Sequence, residues 1–424
     1  MVNRDEYLEK IKNVMWDGNI KVITGLRRSG KSTLLFEIFY NYLLKQNVSE
    51  NNIIKFELDK RKYFAYRNPI ALCDFVEKKI SSSDEKYYLF IDEIQMCKKV
   101  KITNEYDIDE VTIYDMLNEL KDYKNLDVYV TGSNSKMLSS DIATEFRGRS
   151  SQIRVYPLSF KEFYSYYGGN EKDAFDRYML LGGMPGQLEK KNDREKMQYL
   201  VDLFNETYLK DLKEHGKIQR EDIMNNILEY LSSSISSLTN PNNIANAISG
   251  TGKEKIDPNL ISSYIEKLKD AFLIAEVKRY DIKGKSFFSY PNKYYYSDIG
   301  LRNAKLNFRE FDYGHIQENI IYNELISRGY KVDVGVVIDR KNNQKVQKEI
   351  DFIVNNLDRK IYIQSALRID QKDKMESETR SLKLTGDNFK KVLLRNDIVN
   401  SYYDEEGIYN CRLIDFLLGR TDII

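Results

Sequence analysis

The stretch ITGLRRSGKSTLL, residues 23–35, decides the fold. Gly25 is followed by four residues and then by Gly30, Lys31 and Ser32, with a second hydroxyl at Thr33. That completes the G-x-x-x-x-G-K-[ST] phosphate-binding pattern. Before it runs NIKVIT (19–24), a β-branched strand, and after it KSTLLFEIFYNYLLKQ (31–46) carries apolar residues at helical spacing. In the order strand, glycine loop, helix, the backbone N–H groups from Gly25 through Arg28, Ser29 and Gly30 can curl around an anion. The helix macrodipole favours negative charge at the same place. Lys31 then reaches the β and γ phosphates and the Ser32 hydroxyl belongs on Mg²⁺, with Thr33 a neighbour of weaker claim.

A second motif gives the loop its context. KYYLFIDEIQ (86–95) is an apolar strand ending in Asp92 and Glu93. Asp92 is suited to hold Mg²⁺ through its water shell and Glu93 to polarise an attacking water. NIIKFEL (52–58) supplies a strand between the two motifs, the arrangement of ATPases that carry their own catalytic glutamate. A further strand, LDVYVTGSN (126–134), ends in Thr131, Ser133 and Asn134 as candidate sensors of the γ phosphate, Ser133 foremost. In EFRGRSSQIRVYPLSFKEFYSYY (145–167), Arg147 and Arg149 precede a strand, where a guanidinium could complete the phosphate site in its own subunit or a neighbouring one.

The whole chain narrows the function classes. Its 424 residues are too many for one ordinary core and suggest several domains. With 66 basic and 65 acidic residues, no global field advertises nucleic acid or membrane, so such contacts must be local patches. Cys73, Cys97 and Cys411 lie far apart without a C-x-x-C, and the histidines are His215 and His315. That inventory offers neither a structural zinc pattern nor a disulfide framework. A charged N-terminal stretch, MVNRDEYLEK, and the lack of an 18-residue apolar run lead to the expectation of a cytosolic protein.

Beyond the first third, AFDRYMLLGGMPGQL (174–188) and an amphipathic helix over 195–216 suit a helical lid. Residues 222–298 read as three helices and a hairpin around Lys283-Gly284-Lys285, a winged helix. Its third helix offers Asn259, Ser262, Ser263 and Glu266, with Lys278, Arg279, Lys283 and Lys285 as phosphate contacts. DNA and a protein partner are equal alternatives there. In the last third, HIQENIIYNELISRGY (315–330) is a helix and KEIDFIV (348–354) and KIYIQSALRI (360–369) are two strands of a hairpin. Glu318, Glu349, Asp351 and Gln364 can share one face, since alternate strand residues do. This resembles the restriction-endonuclease-like fold, in which an Asp and a Glu-x-Lys hold Mg²⁺. Here Gln364-Ser365-Ala366 stands where Glu-x-Lys belongs, and Arg368 is a poor proton acceptor. Cleavage is therefore not expected.

The succession GLRRSGKSTLL, FIDEIQ, VTGSNSKML, FRGRSSQIRVYPLSFKEF, LGGMP, KLKDAFLI, KYYYSDIGLRNA, IQENIIYNEL, EIDFIV and YIQSAL resembles the predicted AAA-type ATPases of bacteria and archaea that carry a C-terminal domain of unknown function. The resemblance spans essentially the whole chain, with Lys31, Ser32, Asp92, Glu93 and Gly148-Arg149 on motif positions. The glutamine of YIQSAL matches one branch of that family. It implies an α/β protein with an AAA-like P-loop domain over 1–167, a helical lid over 168–221, a winged helix over 222–298 and a restriction-endonuclease-like domain over 299–424. The expected activity is Mg²⁺-dependent ATP hydrolysis, with Glu93, Ser133 and Arg149 as its catalytic set, gating a module that acts on DNA or a protein. The sequence leaves open whether the chain forms a homo-oligomer. The alternatives are an ATP-regulated nuclease using a metal on Asp351 and Gln364, and an adaptor that binds ATP without hydrolysing it.

Overall fold

Short apolar strands flanked by amphipathic helices account for the first of two compact units. The structure, a computed structural model, describes residues 2–80, 85–103, 108–132, 149–210, 212, 218–251, 255–341, 344–356 and 359–423. The first unit runs up to Tyr156 and includes Asp270–Phe272, and the second holds Pro157–Lys269 and Leu273 onward.

In the first unit, α1 (Asp5–Lys12) leads to β1 (Ile20–Thr24) and then to α2, a helical run from Lys31 to Lys45 whose middle, Leu34–Phe39, is π-helical. There follow β2 (Ile53–Glu57), α3 (Pro69–Ile80), β3 (Tyr87–Asp92), a small hairpin of β4 (Val100–Thr103) and β5 (Ile108–Val111), α4 (Ile113–Leu120), β6 (Leu126–Thr131) and β7 (Ser150–Arg154). Five of these strands form a parallel sheet in the order β2-β3-β6-β1-β7. Every residue of β1, β3 and β6 is buried, because helices cover both faces of the sheet. Val22, Leu89, Ile91 and Val130 pack with Leu72 and Val76 of α3 and Leu117 of α4. On the other face Ile23, Phe90 and Tyr129 pack with Ile11 of α1 and Leu35 and Phe39 of α2. The switch of face between Val22 and Ile23 is the period-two alternation of a strand. The C-terminal ends of β1, β3 and β6 therefore come out side by side at one edge, carrying Gly25, Asp92 and Thr131 with them.

The second unit begins with α5 (Phe160–Tyr167) and α6 (Glu171–Leu181). Helix α5 packs on α6, where the Phe160 ring meets Phe175 and Tyr178 with centroids 5.3 and 5.6 Å apart. Helix α7 is α-helical over Asp193–Asp202 and π-helical over Leu203–Leu209. The single helix expected to residue 216 thus changes its winding midway, and residues 211 and 213–217 lie outside the described residues. Next come α8 (Glu221–Ser233), β8 (Leu238–Thr239), α9 (Pro241–Thr251), α10 (Pro258–Asp270), β9 (Ile274–Val277), β10 (Arg279–Asp281), β11 (Ser286–Phe287) and β12 (Asn292–Tyr296).

The expected hairpin around Lys283-Gly284-Lys285 forms, but its arms serve two sheets. β12 pairs antiparallel with β9 and β8 in a three-stranded sheet, while β10 and β11 pair near the tip and β10 also runs parallel to β13. The arms part because Pro291 has no N–H to continue a ladder. The Arg279 guanidinium bonds the Pro291 carbonyl there at 3.0 Å. After α11 (Ile299–Lys305) and α12 (Tyr313–Ser327) come β13 (Lys331–Lys341), β14 (Gln344–Asn356), β15 (Arg359–Ala366), α13 (Lys372–Lys383), β16 (Lys390–Arg395), β17 (Tyr402–Tyr403) and β18 (Tyr409–Arg412). They complete an eight-stranded mixed sheet in the order β11-β10-β13-β14-β15-β16-β18-β17. Val337, Ile350, Ile353, Tyr362, Leu382 and Leu393 are at its core. Among the described residues no helix is long and apolar enough to cross a membrane.

Candidate nucleotide site and a second charged cluster

The glycine loop follows β1 directly and is shaped by the end of β7. A Cβ on Gly25 would lie 2.0 Å from the Val155 carbonyl oxygen, and Gly25 has φ +137°. Only glycine fits, since both the space and the backbone angle exclude a side chain. Gly30 (φ +98°) starts α2 and Arg28 (φ +61°) also lies in the left-handed region, with its side chain exposed. Ser29 is fully buried, donating its hydroxyl to Val155 O at 3.3 Å and its N–H to Leu26 O at 3.1 Å. Such a curl of backbone at a helix start is a phosphate cradle by its chemistry.

Lys31 is 4% exposed and donates to the carbonyls of Gly25 and Leu26, each at 3.0 Å. Burial pulls its ammonium down to about 8, against the upward pull of the Glu93 and Asp92 carboxylates. The Ser32 hydroxyl donates to Asp92 Oδ1 at 3.0 Å. Thr33 is one residue further along the helix, turned about 100° from Ser32. Asp92 is buried at the end of β3, and burial raises its carboxyl above the ordinary range, opposed by the Thr131 hydroxyl that donates to it. An alkoxyl donor and a carboxylate facing each other at this distance fit the coordination of Mg²⁺, a hard cation that takes oxygen ligands.

Glu93 follows at φ +52°, an uncommon conformation for a non-glycine residue that turns the chain sharply off β3. Its N–H donates to Thr131 Oγ1 at 3.1 Å, and the Gln95 side-chain amide donates to its carboxylate. Gln95 closes the stretch FIDEIQ, and the sequence alone assigns it no role. Its signal was the i, i+2 spacing just after a strand, too generic to single it out. Of the three sensor candidates, Thr131 is in the site, whereas Ser133 and Asn134, like Arg147, lie outside the described residues.

Arg149, expected to act in its own subunit or a neighbouring one, stands away from the loop of its own chain. Ile20 N–H donates to Arg149 O, and β7 then runs parallel to β1 with Thr24 beside Arg154. Arg149 therefore stands at the N-terminal edge of the sheet, about 16 Å of strand away from the glycine loop. Its exposed guanidinium cannot reach the phosphate cradle of its own chain.

In the second unit Glu318, Glu349, Asp351 and Gln364 do come together, and a lysine outside every sequence motif sits among them. Lys293 of β12, 2% exposed, places Nζ 2.8 Å from Glu318, 2.6 Å from Glu349 and 3.9 Å from Asp351. The Tyr295 hydroxyl donates to Glu318 at 2.7 Å, Asp351 N–H donates to Gln364 Oε1 at 3.3 Å, and Ser365 N–H donates to Asp351 Oδ2 at 2.8 Å. Burial, which would lower the Lys293 ammonium, is outweighed by the three carboxylates, so it is held above its ordinary value. Asp351 is pushed well up, first by burial and then by Glu318. The cluster lines a cavity of about 670 Å³. Among the described residues no three histidine, cysteine or acidic side chains are set to hold a metal. Arg368 points elsewhere, pairing with Asp370 at 2.5 Å. Of the basic residues expected near a nucleic-acid backbone, Lys278, Lys283 and Lys285 are exposed. Arg279 is buried on Pro291 O and on Gln347 at 3.1 Å.

Comparison with known protein families covers the nucleotide site and, of the charged residues in the second cluster, Lys293 alone. An AAA domain family matches residues 17–164, and a family described only as a domain of unknown function matches residues 172–312. An uncharacterized protein of Haemophilus influenzae is 31% identical over 99% of both chains, and one of Methanocaldococcus jannaschii is 27% identical over 94% of this chain and 86% of its own. Among solved structures, the ORC1 protein of Aeropyrum pernix in complex with DNA overlaps 77% of this chain and 94% of its own, at 10% identity and a TM-score of 0.29. The domain assignment rests on the family match and on the loop geometry above.

Proposed function

Because the chain belongs to the family of its Haemophilus influenzae relative, and its N-terminal part is an AAA-type P-loop domain, we propose that it is a Mg²⁺-dependent ATPase. One observation carries the reading: Ser32 faces Asp92 at 3.0 Å beside a buried Lys31, with Glu93 next in the chain. Lys31 neutralises the β and γ phosphates, and Ser32 and Asp92 would hold a Mg²⁺ ion, which would supply charge stabilisation there when bound. Glu93, oriented by Gln95 and by Thr131, accepts the proton of the attacking water. Arg149 acts on a neighbouring copy, which makes a homo-oligomer the working form.

The same reading assigns the rest of the chain to the output of hydrolysis in the cytosol. The succession α8, β8, α9, α10, β9, β12 supports a winged helix, with exposed Lys278, Lys283 and Lys285 suited to phosphates of duplex DNA. Lys293 among three carboxylates favours a restriction-endonuclease-like domain that does not cut.

Titration of ATP with Mg²⁺ and with EDTA tests the nucleotide site. Wild type is expected to bind more tightly with the metal, and Asp92→Ala to lose that difference; a metal effect that survives the substitution removes Asp92 from the site. Phosphate release with and without duplex DNA, at low and moderate salt, tests the partner. Stimulation that weakens with salt supports DNA, and a rate indifferent to DNA turns the reading to a protein partner.

A further inference from the structure

Arg4 precedes every motif, yet it reaches the glycine loop. It is 5% exposed and donates Nη1 to Ser29 O at 3.0 Å and Nη2 to Tyr156 O at 2.8 Å. Its guanidinium lies 4.4 Å from the centroid of the Tyr7 ring, and the Tyr7 hydroxyl accepts the Tyr156 N–H at 3.1 Å. One side chain thus ties the loop to the segment after β7, the same segment whose Val155 carbonyl receives the Ser29 hydroxyl and closes on Gly25. Burying a guanidinium is costly unless its donors are satisfied. A planar fork aimed at two carbonyls, one in the glycine loop and one just after β7, is a specific arrangement rather than general packing.

The consequence follows from peptide geometry. Ser29 C=O and Gly30 N–H belong to one planar trans unit and point in opposite directions. Fixing the carbonyl on Arg4 fixes the N–H on the other side. We propose that Arg4 is a positioning residue for the nucleotide: by holding Ser29 O it presets the Gly30 N–H to donate to the phosphate chain of a nucleoside di- or triphosphate. This rests on the ATPase reading of the same loop. Preorganisation of this kind raises affinity by removing an ordering cost at the moment of binding.

The test is fluorescence titration of the full chain with mant-ADP and Mg²⁺, with ATPase kinetics alongside. Arg4→Ala is expected to bind about tenfold more weakly, the loss of one preset hydrogen bond to a charged group. Its KM for ATP should rise while kcat at saturation stays within about twofold, because the loop is reordered once ATP is bound. Arg4→Lys, which reaches one carbonyl, should recover part of the affinity. Tyr7→Phe, which removes the Tyr156 contact and leaves Arg4 in place, should bind like wild type. Wild-type affinity in Arg4→Ala overturns the proposal, and so does an equal loss in Tyr7→Phe, which would make the effect one of α1 packing. If Arg4→Ala fails to fold, Arg4→Lys is compared with Tyr7→Phe on the same two criteria. Wild type that does not bind mant-ADP overturns the ATPase reading itself, a result separate from any difference among the variants.

Discussion

Two buried lysines, Lys31 and Lys293, sit near carboxylates in the two units, and their surroundings drive them in opposite directions. Lys31 makes its close bonds to backbone carbonyls, so burial prevails and its ammonium is depressed to about 8. Lys293 touches Glu318 and Glu349 directly and is held above its ordinary value. The first is a charge whose neutralisation by an incoming polyphosphate would be favourable. The second is already neutralised by its own chain. Residue type and burial are the same in both places, and the partner decides whether a lysine is a ligand site or an internal ion pair.

The contrast can be broken by exchanging the consequences of two substitutions. Lys293→Met leaves three carboxylates without their cation, and stability should fall by about 3–5 kcal/mol, with nucleotide affinity unchanged. Adding Glu349→Gln should recover part of the loss in a denaturant melt. A stable Lys293→Met protein would mean that the cluster is solvated rather than locked. Lys31→Met should do the reverse, lowering ATP affinity on the order of a hundredfold while the melting temperature without nucleotide holds or rises. Calorimetric titration reads the first effect and thermal denaturation the second.

A pH series sharpens the same difference. Lys31 loses its proton as pH rises through about 8, so nucleotide affinity should fall about tenfold between pH 7 and 9. Lys31→Arg, charged throughout, should flatten the profile even if it binds more weakly. The sign for stability is opposite. Between about 8 and the ordinary lysine value of about 10.4, the unfolded chain holds a proton the native chain has lost, so this group's contribution rises with pH. Lys293, raised above its ordinary value, contributes stability that is present throughout this range and is lost only at higher pH. The smallest effect is expected from Thr131→Val. It removes the hydroxyl shared by Asp92 and the Glu93 N–H and should slow turnover several-fold.

What the sequence made legible follows from locality. Gly25, Lys31 and Ser32 are contiguous, so their pattern names their geometry. Asp92-Glu93 closes a strand whose apolar run is visible by itself. Lys293 was not legible as a partner of Asp351, because it comes from β12 of the three-stranded sheet and Asp351 from β14 of the eight-stranded one, far apart in sequence. In the string NKYYY it reads as one solvated lysine before an aromatic strand. Arg149 shows the same limit from another side. Gly148 and the place before a strand leave open which subunit's site it serves, and only the register of β7 against β1, which puts it at the far edge of the sheet, separates the two. The hairpin at 274–296 was correct in its turn and incomplete in its sheets, since strand pairing beyond a proline depends on which neighbours are available rather than on the residues themselves.

The central claim is hydrolysis at Glu93, and phosphate release by wild type and Glu93→Gln, with mant-ADP binding measured on both, tests it most directly. The account predicts Mg²⁺-dependent release by wild type and equal nucleotide affinity in the two proteins. Turnover of the variant should be reduced by about 10² or more. Undiminished turnover in Glu93→Gln, or no release from a wild type that binds nucleotide, would contradict it.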